Sequence, residues 1–482
     1  MTSRSVNDPT VGLPPEILAS IFQFSIHFCG DRLGYYFEPD AQSLAISMPL
    51  KLGAICRRWR QVAWSTPFLW TTLSISLNLC EGPARILLVE EWILRSKVLH
   101  LDMNVNLPQY VERTFKECEN LLVTIAKSAH RWRLLNIDMP LEHMKGLFSM
   151  AGTLLNVQAM GLRAYKRKSI TLRSFSLWSE DTRPKPRRLY LGPGFWLDTV
   201  NVVWQSITTI EVCSISTGGC YHILRNSPNL EFCTFKGVSE MDGWQDLGPI
   251  IVLKKLLRFT YEAGDTINDS HLFSFITTPK LAYFSYSAYK SDLGTSFLEF
   301  ISRSSPPLVE LCILEASIHY DELGDLLRAS PSITHLRLSP ELSDEEREDN
   351  HMAFSAIPLL RELAQVSGPD FLDNNTIPFL PCLQSLQYGL CSDNTFPWSH
   401  VPAVFGLPSA FSSPTRRPIK SLEVIQYSGV PAINRILNAI PKDVLPSLLE
   451  LRQAGAEITY VYYDDFATDL VTVSMKLYDE TV

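Results

Sequence analysis

The residues best equipped for chemistry in this chain are paired carboxylates and cysteines, and neither group is arranged to react. Glu90-Glu91 and Asp464-Asp465 are adjacent in sequence. Neighbours on a helix or strand point apart, so neither pair can share the work of a general acid and a general base. The cysteine pairs Cys213/Cys220 and Cys382/Cys391 lack further ligands at zinc spacing. The ten cysteines form no CxxC pair and the ten histidines are dispersed, which suits reduced thiols used as small apolar core residues. Gly192-Pro-Gly194 lacks the third glycine of a dinucleotide loop, and HExxH, GxSxG and Walker patterns are absent. The expectation is a non-catalytic chain with no metal or cofactor.

Composition narrows the class further. With 46% hydrophobic and 20% charged residues, the chain reads as folded. A net charge of −8 argues against a general nucleic-acid surface, where a basic balance is expected. The N-terminus has no apolar signal region, and no run approaches the roughly 18 apolar residues of a membrane span. A cytoplasmic or nuclear location, with protein partners only, is the expectation. At 482 residues the length suggests several domains, or one long repeat array.

Two helices near the N-terminus carry more large apolar side chains than so small a piece can bury. The prolines in Leu13-Pro-Pro-Glu-Ile-Leu-Ala-Ser-Ile-Phe22 start a helix near residue 15, with Glu16 at its positive end. Ile17, Ile21, Phe24 and Phe28 then form a helical stripe, broadened by Leu18 and Phe22. A second helix is predicted over 50–64, because Leu52, Ile55, Cys56, Trp59, Val62 and Ala63 recur at helical spacing. Thr66-Pro67 should open a short turn carrying Phe68, Leu69 and Trp70.

The run Leu13 to Phe22, followed by Cys56-Arg-Arg-Trp-Arg-Gln-Val-Ala63 and Thr66-Pro-Phe-Leu-Trp70, resembles the F-box in its fungal forms. The likeness covers residues 12–75, with a longer insertion at 29–49 replacing the usual short link. It implies docking on the Skp-family adaptor, and through it on a cullin scaffold, while the rest of the chain selects an unknown protein target. The implied adaptor contacts are Leu13, Pro14, Ile17, Leu18, Ile21, Phe22, Trp59 and Val62. The function so implied is that of a substrate-recognition subunit of a ubiquitin ligase. The alternative is an interaction scaffold outside ubiquitination.

Beyond residue 75 a pattern of apolar-x-x-apolar-x-apolar recurs at Leu230, Leu256, Leu281, Leu308, Ile333, Leu360 and Leu383, every 23–27 residues. Weaker copies start at Trp70, Ser96, Trp132, Leu154, Leu172, Ile207, Leu422 and Leu448. Its alternating end reads as a short strand. Prolines 228, 279, 306, 331, 358, 381 and 446 stand two residues before a copy, each marking a change from helix to strand. The array is similar to a divergent leucine-rich repeat, without the regular asparagine of that family.

The fold class expected is therefore α+β overall: a 1–11 tail, a small all-α module at 12–75, and an α/β solenoid at 76–482 with a curved parallel sheet and outer helices. Irregular insertions are placed near 339–353, around the acidic run 341–350, and at the proline-rich 392–420. The basic residues between Arg163 and Arg188 read as a solvated face. Strand positions between the apolar ones nominate the target-binding face. They are Phe232, Thr234, Tyr283, Ser285, Glu310, Cys312, His335, Arg337, Gln384 and Gln387, of which Phe232, Tyr283, Glu310, His335, Arg337 and Gln387 are the strongest.

Overall fold

The computed structural model describes residues 12–27, 48–77, 83–107, 115–165, 176–193, 195, 197–239, 248–264, 270–288, 294–316, 318, 320–340, 356–365, 379–390, 396–406, 417–426, 440–462 and 470–479. The chain is mixed α/β and divides into two compact units, Met1–Val212 and Cys213–Val482. The division falls at the end of the strand Thr209–Cys213, before the helix that follows it.

The first unit opens with helices α1 (Pro15–His27), α2 (48–55) and α3 (Arg57–Ser65) and a 3-10 turn, Pro67–Trp70. Strands β1 (Thr72–Ser76), β2 (Leu101–Asn106), β3 (Trp132–Asp138), β4 (Ala159–Arg163), β5 (Arg188–Leu191) and β6 (Thr209–Cys213) follow, paired in sequence order and all parallel. Parallel neighbours need crossovers. Helices α4 (Pro83–Arg95), α5 (Phe115–Ala126) and α6 (Leu141–Ala151) lie in the first three, and the described residues between β4 and β6 include three 3-10 turns.

The second unit repeats this plan. Its helices are α7 (Thr217–Asn226), α8 (Ser270–Ser274), α9 (Gly294–Ser304), α10 (Tyr320–Arg328), α11 (Ala356–Gln365), α12 (Val401–Phe405), α13 (Leu445–Gln453) and α14 (Leu470–Asp479). Its strands are β7 (Phe232–Val238), β8 (Ile251–Val252), β9 (Arg258–Ala263), β10 (Ile276–Thr277), β11 (Tyr283–Ser287), β12 (Glu310–Ala316), β13 (His335–Pro340), β14 (Ser385–Leu390), β15 (Ser421–Gln426) and β16 (Glu457–Tyr462). The main sheet runs β7-β9-β11-β12-β13-β14-β15-β16, all parallel, while β8 and β10 form a separate pair.

The apolar pattern explains why one face of this sheet is covered. Cys233, Phe235, Phe259, Tyr261, Phe284, Tyr286, Leu311, Ile313, Leu336 and Leu338 all point inward and are buried. Phe273 of α8 sits among Phe259, Tyr261, Phe284, Tyr286, Phe297 and Phe300, with ring centroids 5.2–6.5 Å away. Each such ring contributes about 1.5–3 kcal/mol by leaving water. No single repeat could bury this set, so the stacking of repeats is itself the core.

The prolines before the strands have a definite job. The amides of Leu230, Leu281, Ile333 and Leu383 donate to the carbonyls of Ser227, Thr278, Ser330 and Leu380 at 3.2–3.3 Å. Each is a β-turn with Pro228, Pro279, Pro331 or Pro381 at its second position, where the fixed φ of proline is already correct. Arginines tie successive repeats. Arg303 donates to the carbonyls of Phe273 (2.6 Å) and Ile276 (2.9 Å), and the buried Arg417 donates to those of Leu363 (2.5 Å), Phe379 (2.8 Å) and Leu380 (3.1 Å). Those acceptors lie in or after the preceding helix, where carbonyls run short of intrahelical donors.

Several expectations need correction. Leu360 and Leu448 do not begin strands: they lie in α11 and α13, where Pro358 and Pro446 occupy first-turn positions whose missing N–H costs nothing. The copy placed at Leu422 starts three residues earlier, at the buried Ile419. The proline-rich stretch 392–420 is not simply irregular, since it contains α12 with Val401, Val404 and Phe405 buried. The helix predicted over 50–64 is two helices. Cys56 breaks it with extended backbone (φ −153°, ψ 168°), and its Sγ caps α3 by accepting from the Trp59 amide at 3.4 Å. Thr66 does not cap the 3-10 turn; its hydroxyl instead donates back to the Val62 carbonyl at 2.7 Å. The insertion at 29–49 lies outside the described residues except for 48 and 49, as do the acidic run 341–350, the copy at Leu172, and Lys166, Arg167, Lys168 and Arg173.

Candidate functional site

The N-terminal helices sort the predicted adaptor contacts into two groups. Leu18 and Phe22 are each 1% exposed, Val62 is buried, and the Phe22 ring meets that of the half-buried Trp59 at 4.9 Å. Leu18, Phe22 and Val62 are thus buried where α1 meets α3. A module this small must use one apolar stripe to hold itself together. Pro14, Ile17 and Ile21 are exposed, and Leu13 is half-buried with its carbonyl accepting from Arg58 Nη2. Phe24, 74% exposed, continues the open stripe one turn on, and Leu50, Ile55 and Trp64 add three exposed side chains missing from the predicted set. Ile55, 61% exposed, stands directly before the break at Cys56.

The predicted target face forms two rows across the second unit. Phe232, Arg258, Tyr283, Glu310, His335, Ser385, Ser421 and Glu457 stand in register on successive strands. The next row is Thr234, Thr260, Ser285, Cys312, Arg337, Gln387, Glu423 and Thr459. Parallel pairing thus brings Glu310, His335, Arg337 and Gln387 onto neighbouring strands, as their equivalent repeat positions predicted. Gln384 falls one residue before its strand and outside both rows, its amide donating to the Thr334 carbonyl at 2.8 Å. Ser285 and Cys312 are buried on this face, so they line its floor and are not anchors.

Burial shapes the electrostatics of this face. The Arg258 guanidinium lies 3.9 Å from the centre of the Tyr283 ring, a contact missed although Arg258 follows Leu256 at the same offset as Tyr283 follows Leu281. Burial, then the nearby Cys312 and Glu310, push the Tyr283 phenol up. Burial and Glu310 likewise push the Cys312 thiol up to about 11, which leaves it protonated and a poor nucleophile at neutral pH. Gln387 donates to Glu423 at 2.7 Å, and the Thr334 hydroxyl is 2.8 Å from His335 Nδ1.

The first unit has its own polar ladder, which the weak repeat copies did not reveal. Asn104 donates to Ser74 Oγ at 3.2 Å and Asn136 to Asn104 Oδ1 at 3.3 Å, along one register row. Arg133 pairs with Asp102 at 2.6 Å and Arg163 with Asp138 at 3.6 Å. Burial raises the Asp138 pKa, and Arg163 opposes the rise. Among the described residues, no group of three or more His, Cys, Asp or Glu could hold a metal ion, and no helix is long and apolar enough to cross a membrane. No family model matches the chain, and no curated protein matches it.

Proposed function

We propose that the chain is a non-catalytic receptor subunit of a Skp-cullin-F-box type ubiquitin ligase. On this reading residues 12–75 are an F-box-like module and the strands beyond form a divergent leucine-rich-repeat solenoid. The observation that carries it is the uncovered stripe Ile17, Ile21 and Phe24 on a helix whose other apolar side is already used. Three large apolar side chains left in water on one small module mark a protein contact. The strand rows around Tyr283 and Arg337 supply a separate face for the target, with an aromatic anchor and charges of both signs.

Catalysis on this reading is geometric. The receptor raises the effective concentration of a target lysine beside a ubiquitin-loaded enzyme carried by another subunit. Reconstitution tests it: the chain, a Skp-family adaptor and a cullin should elute together as one complex. Elution of an adaptor complex that excludes the cullin would favour the scaffold alternative.

A further inference from the structure

We infer that Arg337 anchors a single carboxylate of the bound target; the inference rests on the target face proposed above. A guanidinium drawn half out of water loses hydration that only an acceptor restores. Arg58, Arg131 and Arg303 are half-buried and donate to backbone carbonyls, while the half-buried Arg95 and Arg163 pair with carboxylates. Arg337 is half-buried too, on the same face as Tyr283 and Glu310, yet among the described residues it has neither a hydrogen bond nor an ion pair.

Acceptors stand nearby but are turned elsewhere. Cys312 and Gln387 are the register neighbours of Arg337 on β12 and β14. The Cys312 thiol lies 3.9 Å from Glu310 Oε1, and Gln387 holds Glu423 at 2.7 Å. The guanidinium is close enough to draw the Cys312 thiol down against burial, so it lies over the floor of the face. Its planar fork is thereby left open between two carboxylates that are already engaged. Charge decides which anion fits. Glu310 on one side and Glu423 on the other repel the near-double charge of a phosphoryl group more than the single charge of a carboxylate, and a carboxylate matches the fork in two parallel hydrogen bonds.

The sheet sets where the rest of the ligand lies. Tyr283 is in register with Glu310, and Glu310 with His335, so Tyr283 stands two strands from Arg337 and two residues earlier along the strand direction. Strands about 4.8 Å apart, rising about 3.3 Å per residue, put the two positions about 12 Å apart, which is three or four residues of extended chain. Leu257 and Val309, 39% and 43% exposed, flank the start of the Tyr283 strand and make that end of the site apolar. Glu310 lies between the two ends and disfavours a second acid there. The ligand so specified is a peptide with an apolar or aromatic residue three or four positions from a lone carboxylate, supplied by Asp, Glu or a chain end.

Selection of random peptides on the purified full chain tests this, with one library displayed internally and another ending in a free carboxylate. Enriched peptides should carry the stated spacing, and the library that yields them separates a side-chain acid from a chain end. Arg337→Gln should weaken their binding tenfold or more at an unchanged unfolding midpoint. Arg337→Lys, which keeps the charge but not the fork, should weaken it less. Phosphoserine in place of a side-chain acid should bind more weakly than the acid. Binding that survives Arg337→Gln but is lost with Tyr283→Ala, or tighter binding of the phosphoserine peptide, overturns the carboxylate anchor and leaves the face as the target site. Peptides indifferent to both substitutions, or no enrichment from either library, remove the anchor and the target face together.

Discussion

The ring of Phe22 on α1 packs against that of Trp59 on α3, with centroids 4.9 Å apart and planes inclined by 54°. This contact joins the two separated halves of the N-terminal motif and assigns the apolar residues of α1 to two sides. Leu18 and Phe22 hold the module together, and Ile17, Ile21 and Phe24 are offered outward.

Phe22→Ala should therefore destabilise the first unit by about 3–5 kcal/mol, the cost of an aromatic cavity. Ile21→Ala should stay within about 0.5 kcal/mol, because its side chain is already in water. Chemical denaturation followed by tryptophan fluorescence separates the two. Equal costs would contradict the assignment of sides.

Arg417 is buried and gives its donors to three backbone carbonyls. A lysine keeps the charge but not the planar fork. Arg417→Lys should leave at least one acceptor bare and lower stability by about 1–3 kcal/mol. An unchanged thermal midpoint would show that the arginine does not tie those repeats.

Much of this was legible in the residues. Leu230, Cys233 and Phe235, and their equivalents through Leu383, Leu386 and Tyr388, are buried as their alternation predicted. The same pattern misled at Leu360, because Leu359, Leu360 and Leu363 also satisfy a helical period and only neighbouring elements decide between the two. The break at Cys56 was hidden for a related reason, since apolar spacing continues through it while the backbone does not. Which of two adjacent apolar stripes on α1 faces inward depends on Trp59 and Val62 across the gap. Local sequence does not hold that information. Equivalent repeat positions did place Tyr283 and Glu310 in one register row, whereas the burial of Ser285 and Cys312 beside them could not be read from spacing.

The Cys312 thiol, pushed up to about 11 by burial and by Glu310, stays protonated across the physiological range. At pH 8 iodoacetamide should label the exposed Cys382 and spare Cys312, as read by peptide mass spectrometry. Glu310→Gln removes one of the two causes and should speed Cys312 labelling as the pH is raised. Prompt labelling of Cys312 in the native chain would contradict the closed floor.

Gly264 follows β9, and its amide donates to the Val238 carbonyl at 2.7 Å. A Cβ there would stand 2.9 Å from the same oxygen, which belongs to backbone and cannot swing aside. Gly264→Ala should cost about 1–3 kcal/mol in thermal or denaturant unfolding. No loss would mean that the β7–β9 pairing is looser than described.

The central claim is that the exposed stripe of α1 receives the adaptor. Its most direct measurement is the affinity of a purified Skp-family adaptor for the full chain and for Ile17→Glu with Ile21→Glu. The account predicts tight binding by the wild type, loss of binding by a hundredfold or more in the variant, and the same unfolding midpoint for both. Binding that survives the two glutamates, or a wild-type chain that does not bind, would contradict it.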